Sequence, residues 1–94
     1  MTVYMVDRDL PRITPEGLTA LQGAEITTAQ QLSVVGRPVR YLRSLFIPGE
    51  SRCLCLFEAP NEAIVAQVNE LAQLPFSRIV AARELTTVSA VPTP

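Results

Sequence analysis

The run Arg52-Cys53-Leu54-Cys55-Leu56-Phe57-Glu58 constrains the fold more than any other stretch, because as a β-strand it is apolar on both sides. Successive strand residues point to opposite faces, so Cys53, Cys55 and Phe57 make one side and Leu54 and Leu56 the other. A sheet wetted on one face alternates polar with apolar residues, and this run does not. Both faces of the sheet that contains it need cover.

The flanking sequence supplies one cover. Thr2 to Asp7 is rich in β-formers and is followed by the breaker Asp9-Leu10-Pro11, so it reads as a first strand. Thr14 suits a helix N-cap, Pro15 the first helical position and Glu16 the positive end of the dipole. Leu18, Leu21, Ala29 and Leu32 carry the apolar stripe of that helix, which Gly36 and Pro38 end. Val39 to Ile47 and Arg52 to Glu58 form an antiparallel hairpin through Pro48-Gly49-Glu50-Ser51, where Pro-Gly suits a type II turn. Asn61 caps a second helix carrying Ile64, Val65, Val68, Leu71 and Ala72, which Pro75 stops. Phe76 to Leu85 holds a fourth strand around Ile79-Val80-Ala81-Ala82.

This order, β-α-β-β-α-β, is the ferredoxin-like plan: an α+β fold with a four-stranded antiparallel sheet and two helices on one face. One domain over residues 1–85 is expected, with residues 86–94 a flexible tail of turn and linker composition. The helices cover one face. The other is expected to meet a second subunit, giving a homodimer or higher even oligomer of the dimeric α/β-barrel type. A mean hydropathy of +0.24, more apolar than a lone domain of this size needs, agrees.

Composition narrows the chemistry. All eight basic residues are arginine, and the chain has no lysine, histidine or tryptophan. Schiff bases, Walker-type loops, Ser-His and Cys-His pairs and imidazole metal sites are thereby excluded. Eight basic against nine acidic side chains leave a formal charge of −1, which gives no electrostatic basis for nucleic acid or an anionic membrane as partner. The start, Met1 to Asp7, lacks a basic n-region, and no run approaches the about 18 apolar residues of a membrane span. A cytoplasmic protein is expected, and two cysteines two residues apart fit a reducing compartment.

Four residues are the expected ligand-binding set. By parity Tyr41 and Arg43 share one side of the second strand with Val39, Leu45 and Ile47, while Arg40 takes the other unless a bulge intervenes. An arginine in an apolar stripe either pairs with an acid or orients a ligand. Asp7, in phase with Val3 and Met5, is the expected charge partner, and Cys55 a polarizable wall. For a divalent metal the residues on offer are Asp7, Arg8 and Asp9 with Glu58, taken as strand ends, and the thiols of Cys53 and Cys55. Two strand cysteines are too few for a structural zinc site, so no cofactor is predicted and the thiols are expected to pack in the core.

Four segments, Tyr4-Met-Val-Asp-Arg8 with Leu10-Pro11, Val39-Arg-Tyr-Leu-Arg-Ser44, Cys55-Leu-Phe-Glu-Ala-Pro60 and Leu74-Pro-Phe-Ser-Arg-Ile79, resemble a small bacterial family of uncharacterised ferredoxin-like proteins. One member is described as nickel-binding. The resemblance spans Val3 to Glu84, with Tyr41 where the family often has tryptophan. It implies a ferredoxin-like subunit that associates through its sheet. Nickel binding would be expected to draw on histidines, so no nickel ligand carries across. The expected function is a small oligomeric binding protein for a small ligand or metal ion. The alternative is a small cofactor-independent enzyme, monooxygenase- or isomerase-like, which a closed pocket with a buried acid beside Tyr41 or Cys55 would favour.

Overall fold

A computed structural model describes residues 1–87 as β1 (Thr2–Asp9), α1 (Pro15–Val34), β2 (Arg40–Ile47), β3 (Arg52–Ala59), α2 (Glu62–Leu71) and β4 (Arg78–Ala82). All but the first two residues of the expected tail lie outside the described residues.

Local chemistry sets the helix ends. The Thr14 hydroxyl accepts from the Gly17 amide at 3.0 Å, and Asn61 Oδ1 accepts from the Ile64 amide at 3.1 Å. At the end of α1 the Arg37 amide donates to the Leu32 carbonyl and the Gly36 amide to that of Ser33, with Gly36 left-handed at φ 86°. The same paired closure ends α2, through Leu74 to Asn69 and Gln73 to Glu70. There the left-handed position, φ 57°, is filled by Gln73, which carries the Cβ that glycine lacks.

The sheet is fully antiparallel in the order β2-β3-β1-β4. Directly opposed residues share a face, so the register assigns each side chain. One face carries Val6, Arg8, Cys53, Cys55, Phe57 and Ala59, all buried, beneath Leu21, Glu25, Ala29 and Leu32 of α1 and Ile64, Val65 and Val68 of α2. The other carries Val3, Met5, Asp7, Leu54, Leu56 and Val80 and is covered by neither α1 nor α2. No helix among the described residues is long and apolar enough to cross a membrane.

Five local expectations are corrected. The first strand runs two residues further, because the ladder with β3 continues through Arg8 and Asp9. β2 begins at Arg40 rather than Val39, and α2 ends at Leu71, leaving Leu71 exposed and Ala72 as the cap. In the β2–β3 turn Ser51, not Gly49, takes the left-handed backbone, at φ 51°; Glu50 and Ser51 donate back to Ile47 and Pro48. Most consequential is a bulge in β2. Tyr41 opposes Phe57 and Arg43 opposes Leu56, so Leu42 is the extra residue and the alternation of faces shifts there.

Candidate functional site

Beneath the helices lies a buried polar cluster. Arg8 of β1 is fully buried; its guanidinium donates to Glu25 Oε2 of α1 at 3.2 Å, Asn69 Oδ1 of α2 at 2.6 Å and the Pro75 carbonyl at 3.2 Å. Asn69 Nδ2 donates in turn to the Val65 carbonyl at 2.8 Å. Arg8 Nε has no acceptor among the described residues. Glu25 Oε1 accepts from the Cys55 thiol at 3.5 Å, and Cys55 Sγ is 3.7 Å from Cys53 Sγ.

Burial decides the protonation of this cluster. It raises the Glu25 pKa, with the Arg8 charge pulling back, and together with the Glu25 charge it pushes the Cys55 thiol up to about 12. A hydroxyl chain runs outward: Tyr41 Oη lies 2.7 Å from Ser44 Oγ and accepts from Gln22 Nε2 at 3.1 Å. Burial raises the Tyr41 pKa as well. An open groove of about 190 Å³ is lined by Leu18, Gln22, Ser44, Phe46 and Cys53, and Cys55 is not in its wall. Tyr41 also borders an open, mainly apolar groove of about 510 Å³ between α1 and β2, with Ile26, Val34 and Val39.

On the helix-free face the charges form separate ion pairs. Asp7, 3% exposed, accepts from Arg52 through both carboxylate oxygens, and its Oδ2 accepts a longer contact from Arg78 Nε at 3.5 Å. Arg52 above all holds the Asp7 carboxyl below the usual carboxylate range. Arg43 Nε lies 3.3 Å from Glu84 Oε1, across β3 and β1 from its own strand, and Arg40 NH2 lies 3.0 Å from Glu58 Oε1.

The four expected ligand-binding residues therefore divide into two pairs. Tyr41 and Cys55 lie on the helix side; Arg43 and Asp7 lie on the open side. The expected shared face of Tyr41 and Arg43 is overturned by the bulge, which also brings Arg40 and Arg43 onto one face. Arg43 pairs with Glu84, and Asp7 with Arg52 and Arg78, so the expected Asp7–Arg43 pair does not form. The metal candidates do not meet either. Antiparallel pairing sets Asp7 against Leu54 and Glu58 against Val3, about 13 Å apart along the ladder, and both thiols point to the opposite face. Among the described residues no three Cys, Asp or Glu side chains form a group that could hold a metal ion.

Parity and composition do not single out Glu25 or Asn69, and they present Arg8 only as the neighbour of two acids. The signal for Glu25 is its spacing: Leu18, Leu21, Glu25, Thr28 and Leu32 form a three-four repeat in which one member is charged. Arg8 continues the inward phase of Tyr4 and Val6, and Asn69 lies beside Val65 and Val68 on the inner side of α2. In each case a polar residue at an apolar position marks the cluster.

A family model described as "SCO4226-like: Nickel responsive protein SCO4226-like" matches residues 4–81. Among solved structures, "Crystal structure analysis of SCO4226 from Streptomyces coelicolor A3(2)" matches with a TM-score of 0.76 and 19% identity, over 89% of this chain and 99% of that chain. At that identity the likeness carries the fold alone. No curated protein matches the chain.

Proposed function

Because the chain belongs to the SCO4226-like family of nickel responsive proteins, we propose that it is a small non-catalytic binding protein, working as a homodimer or higher even oligomer through its helix-free face. The apolar centre of that face carries the reading. Leu54 and Leu56 of β3, Val3 and Met5 of β1 and Val80 of β4 are only half-buried, Leu45 of β2 is 64% exposed, and ion pairs stand around them. A sheet face of this composition gains from excluding water, and an isologous contact supplies the matching surface.

Histidine is absent, so nickel is not the ligand proposed. The buried acid that would favour an enzyme is present, since Glu25 lies beside Cys55. Yet the Cys55 thiol is held protonated, and the groove that reaches the neighbouring Cys53 is open to water. Binding is better supported than proton transfer. Light scattering across micromolar concentrations tests the assembly: a dimer or higher even oligomer is expected, dissociating in Leu54→Glu, which puts a carboxylate on the face. A compact wild-type monomer throughout would overturn it.

A further inference from the structure

We infer that the apolar groove between α1 and β2 is the seat of the chain's own residues 88–94, Val-Ser-Ala-Val-Pro-Thr-Pro, which lie beyond the described residues. The groove is preformed. Ser33 Oγ donates to the Val39 carbonyl at 2.9 Å and accepts from the Val39 amide at 3.2 Å, which ties the end of α1 to the start of β2. Ala29 and Val39 are buried in its floor, while Met1, Ile26 and Val34 are exposed apolar side chains around it. A groove of about 510 Å³ with such walls gains from a cover that excludes water.

Three observations choose the occupant. The first is where the described chain leads. Arg83, Glu84 and Thr86 line one groove with Met1, Thr2 and Val3, and Glu84 reaches Arg43 of β2, so the chain leaving β4 turns in across the sheet rather than away from it. Met1 is a wall of that groove and of the apolar one, which makes the two neighbours. The second is reach. Seven extended residues span at most about 23 Å, against about 14 Å for the three strand spacings between β4 and β2. The third is chemistry. No residue from Leu85 to Pro94 is charged, so the segment enters an apolar groove without burying a charge, and Val88, Ala90, Val91 and Pro92 supply apolar contact. The groove is walled by α1, on the helix side of the sheet, so this seat does not depend on assembly through the open face.

The test compares the full chain with a chain ending at Thr87, using a neutral N-phenylnaphthylamine dye and methyl spectra of carbon-labelled protein. A segment seated about nine-tenths of the time weakens dye binding about tenfold, so truncation should tighten binding by that factor. Val34→Asp in the truncated chain should cancel the gain, because it puts a carboxylate on the exposed wall of the groove. The methyl signals of Ile26, Ala29 and Val34 should shift on truncation, while those of Leu18, in the smaller groove, stay in place. Should the truncated chain fail to fold, Val91→Asp in the full chain takes its place. Equal dye affinity with unmoved Ile26 and Val34 signals would overturn the seat. So would groove signals of labelled truncated chain that move on mixing with unlabelled full chain, since the segment would then come from a second copy.

Discussion

Tyr41 and Arg43, two positions apart in β2, stand on opposite faces of the sheet, because Leu42 is an extra residue in the ladder with β3. Tyr41 turns inward, edge-on to Phe57 with ring centroids 5.6 Å apart, and Arg43 turns outward to Glu84. Two energetic consequences separate at this bulge, since the outward arginine is 60% exposed and the inward tyrosine belongs to the packed side.

Arg43→Met should therefore change stability by less than about 1 kcal/mol, the range of exposed ion pairs. Urea unfolding below the association concentration measures this. A loss of several kcal/mol would show that Arg43 is held in a buried pair.

The inner pair should behave in the opposite way. Arg8 and Glu25 are both inaccessible, so Arg8→Met alone should cost about 3–5 kcal/mol by leaving the carboxyl without its partner. Adding Glu25→Leu should recover part of that loss. A double-mutant cycle in urea reads the coupling, and additive losses would show that the two side chains act independently.

Acid sensitivity should trace in part to Asp7. Its pKa is depressed in the folded chain, chiefly by Arg52, so its contribution is present above the unfolded value of about 3.9 and is lost as pH falls through the folded value. Asp7→Asn should be less stable at pH 5 and show a smaller fall in urea midpoint between pH 5 and pH 2. An unchanged slope would place the acid dependence elsewhere. Arg52 and Arg78 are 37% and 61% exposed, so solvent weakens both interactions.

Gln73→Gly should stabilise the chain by about 1 kcal/mol, since a side chain in left-handed backbone costs about 1–2 kcal/mol and glycine gives back part of that as unfolded-state entropy. Thermal unfolding should show a rise of several degrees.

The element order was legible because each boundary has a chemical marker: Thr14 and Asn61 at helix starts, Gly36 and Pro38 after α1, and the two-sided apolar run of β3. The bulge was not. No glycine or proline marks Leu42, and only the partner strand reveals which residue is unpaired. For the same reason parity joined Tyr41 to Arg43. Gly49 looked like the turn's left-handed residue on propensity, while the hairpin places that conformation at Ser51. The buried cluster is half legible: strand parity places Cys55 among the expected ligand-binding residues, whereas Glu25, a charged residue in phase with the apolar repeat of α1, carries no apolar signal of its own.

Arg8 reaches its three acceptors across sequence separations of 17, 61 and 67 residues. Such contacts form only after the long loops between them have closed, and closure costs chain entropy before any contact repays it. The Arg8 cluster is accordingly expected to form late in folding and to contribute little to the transition state. Its weight falls on the reverse rate: losing it would leave refolding almost as fast while unfolding accelerates. The central arginine of this small domain thus sets how long the native state persists more than how quickly it is reached.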